Sequence, residues 1–117
     1  MIDLTNLEAI DFADFLKVKM AVGTIISAEL NPKARKPAYK LTIDFGDLGL
    51  KTSSAQITEN YTPDDLQNKQ IIAVMNFRPK RIADVKSEVL VLAAVCEKKG
   101  TVLLNPSMLV ENGTRIL

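Results

Sequence analysis

Val18-Lys19-Met20-Ala21-Val22-Gly23-Thr24-Ile25-Ile26-Ser27-Ala28-Glu29-Leu30 is the stretch on which the fold turns. Val18, Met20, Val22, Thr24, Ile26, Ala28 and Leu30 recur at every second position, with Lys17, Lys19, Ser27 and Glu29 among the alternate ones. A period of two marks a half-buried strand, because successive side chains of an extended backbone leave on opposite faces. The run is about twice the usual strand length, so a bend or bulge is expected within it, with Gly23 as the site.

Downstream, Asn31-Pro32 and Lys36-Pro37 break the pattern into a loop, since each proline fixes its own φ and pushes the preceding residue out of the helical region. Tyr39, Leu41, Ile43 and Phe45 make a second alternating strand. Gly46-Asp47-Leu48-Gly49 turns into a third, Leu50 to Ile57, whose Lys51-Thr52-Ser53-Ser54-Ala55-Gln56 is unusually polar for a sheet. Thr62-Pro63-Asp64-Asp65 starts a short helix, with Thr62 as cap and the carboxylates near the positive end of the dipole. Gln70 to Met75 and Val89 to Val95 read as two further strands, with Arg78-Pro79-Lys80-Arg81 in the loop between them. Upstream, Thr5-Asn6-Leu7-Glu8 has the capping-box pattern of a short N-terminal helix. The expectation is an all-β domain over residues 1–117, a small Greek-key barrel with a helix between its third and fourth strands and a C-terminal extension.

Composition bounds the chemistry. The chain has 117 residues, 47% hydrophobic and 25% charged, with one cysteine and no histidine. A domain of this size buries about 65% of the surface its unfolded chain exposes, so a core can hold it without disulfides. Cys96 has no partner and reads as a small core hydrophobe in a reducing compartment. A structural zinc site lacks its ligands, and imidazole-based acid–base chemistry lacks its side chain. Asp64 and Asp65 are explained by capping. Lys51 and Ser53 share a strand face but have no oxyanion-hole signature beside them. No enzyme activity, catalytic residue, metal or cofactor is expected. No apolar run reaches the roughly 18 residues that span a bilayer, and Asp3, Glu8, Asp11 and Asp14 make the start unlike a signal peptide, so a cytoplasmic protein without membrane insertion is expected.

Net charge is +1, but it is unevenly spread. Lys33, Arg35 and Lys36 follow the first strand, and Arg78, Lys80 and Arg81 lie between the last two. In small five-stranded barrels these two loops flank the ligand face. Cations stiffened by proline suit phosphate, because guanidinium binds it bidentately and a rigid loop loses less entropy on binding; a merely solvated loop is the plainer alternative. The electrostatic part of an RNA site is therefore assigned to Lys33, Arg35, Lys36, Arg78, Lys80 and Arg81, with Lys51 and Lys86 beside them and Ser53, Asn76 and Ser87 supplying orienting hydrogen bonds. Tyr39 and Phe45 alternate into the core, leaving Tyr61 and Phe77 as loop aromatics. That is few for stacking a single strand, so recognition of a folded RNA by shape and phosphate is expected. Tyr61, Phe77 and Ile82 could instead line a peptide groove rimmed by Thr52, Ser53, Ser54 and Gln56, the alternative being that Phe77 and Ile82 plug the barrel end. Leu7, Ile10, Phe12 and Phe15, with Val102, Leu103, Leu104, Met108, Leu109, Val110, Ile116 and Leu117, lie outside a minimal barrel and need covering, which a two-fold copy of the chain would do.

Asn31-Pro32-Lys33-Ala34-Arg35, Lys51-Thr52-Ser53-Ser54-Ala55-Gln56-Ile57, Asn76-Phe77-Arg78-Pro79-Lys80-Arg81-Ile82 and Ser87-Glu88-Val89-Leu90, set in their strands, resemble the tRNA-binding-domain family, which includes the C-terminal domain of some methionyl-tRNA synthetases. The family's tRNA binders usually have Ser-x-Gly-Met where this chain has Ser87-Glu88-Val89-Leu90. The resemblance implies a five-stranded OB-fold barrel, a homodimer built through the terminal segments, and tRNA as a partner. Within the family it lies nearest a small bacterial branch described as a chaperone in protein export. That branch adds unfolded or precursor polypeptides and the export machinery as partners. A dedicated structure-specific tRNA-binding protein with no chaperone role is the other reading.

Overall fold

The computed structural model describes residues 2–117. Five antiparallel strands form the main sheet in the order β3-β2-β1-β4-β7, with β1 at Met20–Leu30, β2 at Tyr39–Asp44, β3 at Leu50–Ala55, β4 at Gln70–Val74 and β7 at Leu90–Val91. The sheet curls until the edge of β3 meets the segment before β7: the Glu88 N–H donates to the Thr52 carbonyl at 2.8 Å and the Ser54 N–H to Ser87 Oγ at 3.1 Å. The result is a nearly closed OB-like barrel. A short helix, α1, spans Phe12–Leu16, and α2, Pro63–Leu66, lies between β3 and β4 with Thr62 and Asp65 forming a reciprocal capping box.

The core is Ile25, Leu41, Ile43, Phe45, Leu66 and Ile71, all fully buried, with Tyr39, Ala55, Ile57 and Val89 around them. The inward face of β1 is not the one its even-numbered apolar residues suggest. Ala21, Gly23 and Ile25 face the core, and a register shift between Ile25 and Ser27 then moves the inward positions to Ala28. Ile26 sits at that irregularity and is exposed, so the bulge lies there and not at Gly23. Gly23 has a different duty, because a Cβ on it would lie 2.6 Å from Phe45 Cε1 and 2.7 Å from Ile43 Cγ2. On that even-numbered face Val22 is buried, while Val18, Ile26 and Leu30 stay exposed. The free edge of the first half of β1 is taken by residues 113–116, with the Gly113 N–H donating to the Val22 carbonyl at 2.7 Å, the Val22 N–H to the Thr114 carbonyl at 2.9 Å and the Ile116 N–H to the Met20 carbonyl at 3.1 Å. Gln70 clips this tail by pairing its side-chain amide with the Val110 backbone, donating at 2.7 Å and accepting at 3.1 Å.

Three further expectations are corrected. The Thr5–Glu8 capping box does not form: Asp3 accepts from the Thr5 N–H at 2.9 Å and caps a single 3-10 turn, and α1 begins only after Asp11. Arg78 to Arg81 is not wholly loop, because β5 (Lys80–Ile82) and β6 (Val85–Ser87) form a hairpin. Val89 to Val95 is not one strand. β7 ends at Val91, the Leu92 N–H still reaches the Ile72 carbonyl at 2.9 Å, and β8 (Ala93–Cys96) then turns away to pair with β9 (Gly100–Leu103), which leaves Cys96 exposed.

Candidate nucleic-acid interface

The two basic segments meet over β3. Its alternation sends Ser53 and Ala55 inward and leaves Ser54 and Gln56 on the outer side. Two grooves lie against that outer side and share Ser54 and Ile82 as a common wall. The larger, about 560 Å³, is lined by Lys33, Arg35, Lys36, Ser54, Gln56 and Ile82. The smaller, about 310 Å³, is lined by Phe77, Arg78, Lys80, Ile82, Ser87 and Leu90, with Glu88 and Val89. Five of the expected cations therefore border one composite surface, basic at both ends and polar to apolar between them.

The hairpin decides which side chains reach it. Lys80 pairs with Ser87 and Ile82 with Val85, so these residues share a face, while Arg81 stands opposite Lys86 on the other. Lys80, Ile82 and Ser87 line a groove; Arg81 and Lys86 line neither. A like-charge pair directly across two strands is locally unfavourable and is eased by any anion that settles between them. Lys51 shares the face of Ser53 and also lines neither groove.

Of the three expected hydrogen-bonding residues, Ser53 and Asn76 are committed to the fold, while Ser87 lines the smaller groove with its Oγ also engaged at the barrel seam. Ser53 is 1% exposed and turned into the barrel. Asn76 fastens the entry to β1, accepting from the Lys19 N–H at 3.0 Å and donating to the Lys17 carbonyl at 2.8 Å. Ser87 Oγ accepts the Ser54 N–H across the barrel seam. The groove-facing polar groups on and just after β3 are Ser54 and Gln56. Counting back in twos from the apolar Ile57 finds them, because Ile57, Ala55 and Ser53 share the buried face.

Of the proposed apolar anchors, Phe77 and Ile82 border the smaller groove together. Phe77 is 56% exposed, so it does not plug the barrel end. Tyr61 lines neither groove: its hydroxyl accepts the Leu103 N–H at 3.0 Å, its carbonyl accepts the Tyr39 hydroxyl at 2.7 Å, and Lys69 Nζ lies 5.8 Å from its ring centre.

Electrostatics tie the two arms together. Lys33 Nζ lies 2.7 Å from Asp84 Oδ2 in the hairpin turn. That hydrogen bond and the carboxylate's charge raise the Lys33 pKa and, in return, lower that of Asp84, with Arg81 adding to the latter. Glu88 is held below the usual carboxylate range chiefly by the Thr52 backbone N–H, then by the Thr52 hydroxyl and the nearby charges of Lys51 and Lys86. Each shift stabilises the charged form, which suits a binding surface more than proton transfer near neutral pH.

A family model described as a putative tRNA binding domain matches residues 20–115. The chain is 39% identical over 110 residues to the methionine–tRNA ligase of Archaeoglobus fulgidus, covering 93% of this chain and 16% of that enzyme. To the ligase of Pyrococcus horikoshii it is 34% identical over 111 residues, 95% of this chain and 15% of that one. It thus spans about a sixth of the length of these curated relatives. Among solved structures, chaperone CsaA from Bacillus anthracis superposes with a TM-score of 0.89 at 53% identity, covering 94% of this chain and 100% of the other. The CsaA chaperone protein from Picrophilus torridus gives 0.88 at 51%, covering 93% and 100%, and a MetRS-related protein from Pyrococcus horikoshii gives 0.84 at 30%, covering 95% and 100%.

Proposed function

Because this chain belongs to the putative tRNA binding domain family, we propose that it is a non-catalytic, CsaA-like protein that binds tRNA and acts as a chaperone for unfolded or precursor polypeptides in protein export. The observation that carries the RNA part is the shared Ser54–Ile82 wall, on either side of which the first loop and the hairpin set their cations. Lys33, Arg35, Lys36, Arg78 and Lys80 then contact phosphates of a folded RNA, which supply affinity without base readout. Ser54 and Gln56 offer the donors and acceptors that orient it. Titration of total tRNA against the protein at two salt concentrations tests this part.

The polypeptide part draws on the smaller groove, where Phe77, Ile82 and Leu90 put apolar surface beside Arg78 and Lys80. Apolar lining with a few polar groups at the rim is the usual make-up of a peptide or small-ligand site. The two ligands would compete, since the grooves share a wall. The similarity to CsaA at full length of those chains supports this reading over that of a dedicated tRNA-binding protein. The methionine–tRNA ligase relatives support the dedicated one, and competition between tRNA and an unfolded polypeptide decides between them.

A homodimer and a cytoplasmic location complete the proposal. Leu7, Ile10, Phe12, Met108, Leu109 and Leu117 are all exposed, more apolar surface than scattered single residues account for. A second copy covers it most economically. No helix among the described residues is long and apolar enough to cross a membrane.

A further inference from the structure

Asn31 is a polar side chain only 8% exposed, and it grips two elements at once. Its Oδ1 accepts the Lys33 N–H at 3.2 Å, folding the start of the first loop, and its Nδ2 donates to the Ala83 carbonyl at 3.2 Å in the hairpin turn. Its backbone closes the same loop, with the N–H donating to the Ala38 carbonyl at 2.9 Å and the carbonyl accepting the Ala34 N–H at 3.3 Å. The turn it holds is strained. Ala83 and Asp84 take φ values of 46° and 70°, the left-handed region, without being glycine. Such a conformation persists where neighbours over-determine it, and the Asn31 bond to the Ala83 carbonyl is such a neighbour. The Lys33–Asp84 ion pair spans the same gap, but both ends are exposed, so it is screened and weak. The hairpin itself is fixed to β3 through the Thr52 hydroxyl on the Lys86 carbonyl and the Ser54 N–H on Ser87 Oγ, so the buried Asn31 amide is what ties the first loop, with Lys33, Arg35 and Lys36, to that anchored hairpin.

We infer that Asn31 is a positioning residue that sets the spacing of the two cation groups, and that this spacing makes the surface select a folded RNA over a flexible single strand. The inference rests on the RNA-binding reading above. A folded RNA presents phosphates at fixed separations, so both groups engage it together only when their own separation is preset. A flexible strand adjusts to whatever spacing it meets. Loosening the hairpin from the loop penalises the first ligand and spares the second.

The test uses Asn31→Ala and Asn31→Ser. Serine keeps a hydroxyl to accept the Lys33 N–H but is too short to reach Ala83. Affinities for total tRNA and for polyuridylate of matched length are measured at one salt concentration, with thermal unfolding alongside. Both variants should lose about fivefold to tenfold for tRNA, the worth of one neutral hydrogen bond, while polyuridylate binding stays within about twofold. If Asn31→Ala does not fold, Asn31→Ser carries the comparison. A merely structural role would weaken both ligands together and leave their ratio unmoved; that result, or unchanged tRNA affinity in a folded variant, overturns the inference. Wild-type protein that binds no tRNA overturns the RNA-binding reading itself, so the two failures are distinct.

Discussion

Glu88 and Thr52 hold each other in both directions across the barrel seam. The Glu88 N–H donates to the Thr52 carbonyl at 2.8 Å, and the Thr52 N–H donates to Glu88 Oε1 at 3.1 Å, with the Thr52 hydroxyl shared between that oxygen and the Lys86 carbonyl. A side-chain carboxylate thus bridges the seam between β3 and the segment before β7, the two edges that no strand ladder joins. The carboxylate, held in its charged form, also borders the smaller groove.

Glu88→Gln should lower stability at neutral pH by about 1 kcal/mol, the order of a hydrogen bond to a charged group with half its worth retained. The pH profile carries the finer test. The carboxyl titrates lower in the folded chain than its ordinary value of 4.5, so the unfolded chain binds the proton first. Its contribution is complete above that value and is lost as pH falls through the folded one. Thermal unfolding of the wild type should therefore decline more steeply on acidification below pH ~5 than that of Glu88→Gln. Parallel curves would contradict the seam.

Replacing Arg78 and Lys80 together by alanine should flatten the dependence of log affinity for tRNA on log salt by about 1.5 to 2, a little under one for each phosphate left without its cation. Arg81→Ala alone should change the slope by less than about 0.5, because Arg81 lies on the face of the hairpin away from both grooves. A larger effect from Arg81 than from the pair would move the RNA to the other face.

Much of the barrel was legible because strands β2 and β4 and the cap of α2 follow local rules: alternation, apolar runs and a Thr-Pro-Asp-Asp start. β1 misled on which face was inside. Both faces of its first half are apolar, with Ala21, Gly23 and Ile25 on the core side and Met20 and Val22 on the other, and the bulge at Ile26 then reverses parity. Alternation alone does not say which of two apolar faces packs inward. The cation segments were legible from charge and proline, but the Lys80–Ser87 hairpin was not, since its turn uses Ala83 and Asp84 at positive φ where a glycine signal would be expected. Sequence does not show where a hydroxyl or amide is spent, so it does not distinguish Ser53 and Asn76, bonded within the fold, from Ser87, which lines the smaller groove.

Phe77→Ala should leave the melting temperature within about 2 °C, as expected for an exposed side chain, and should weaken binding of an unfolded polypeptide. Saturating tRNA should displace that polypeptide from the wild type. If the variant unfolds, Phe77 is structural; if tRNA leaves polypeptide affinity untouched, the shared surface is wrong.

Sedimentation at micromolar concentration should give twice the chain mass of 12.9 kDa. Replacing Leu7, Ile10 and Phe12 by serine should shift it toward the monomer while leaving the barrel's circular dichroism unchanged, because none of the three contributes to the core. A wild-type monomer would leave the apolar start and tail without the proposed cover.

Filter binding of total tRNA at about 50 and 200 mM salt tests the central claim most directly. With about four to five phosphates neutralised, affinity should fall by roughly two to three orders of magnitude across that range. Absent binding at the lower salt, or binding that does not weaken at the higher, would contradict a phosphate-reading surface built from the first loop and the hairpin.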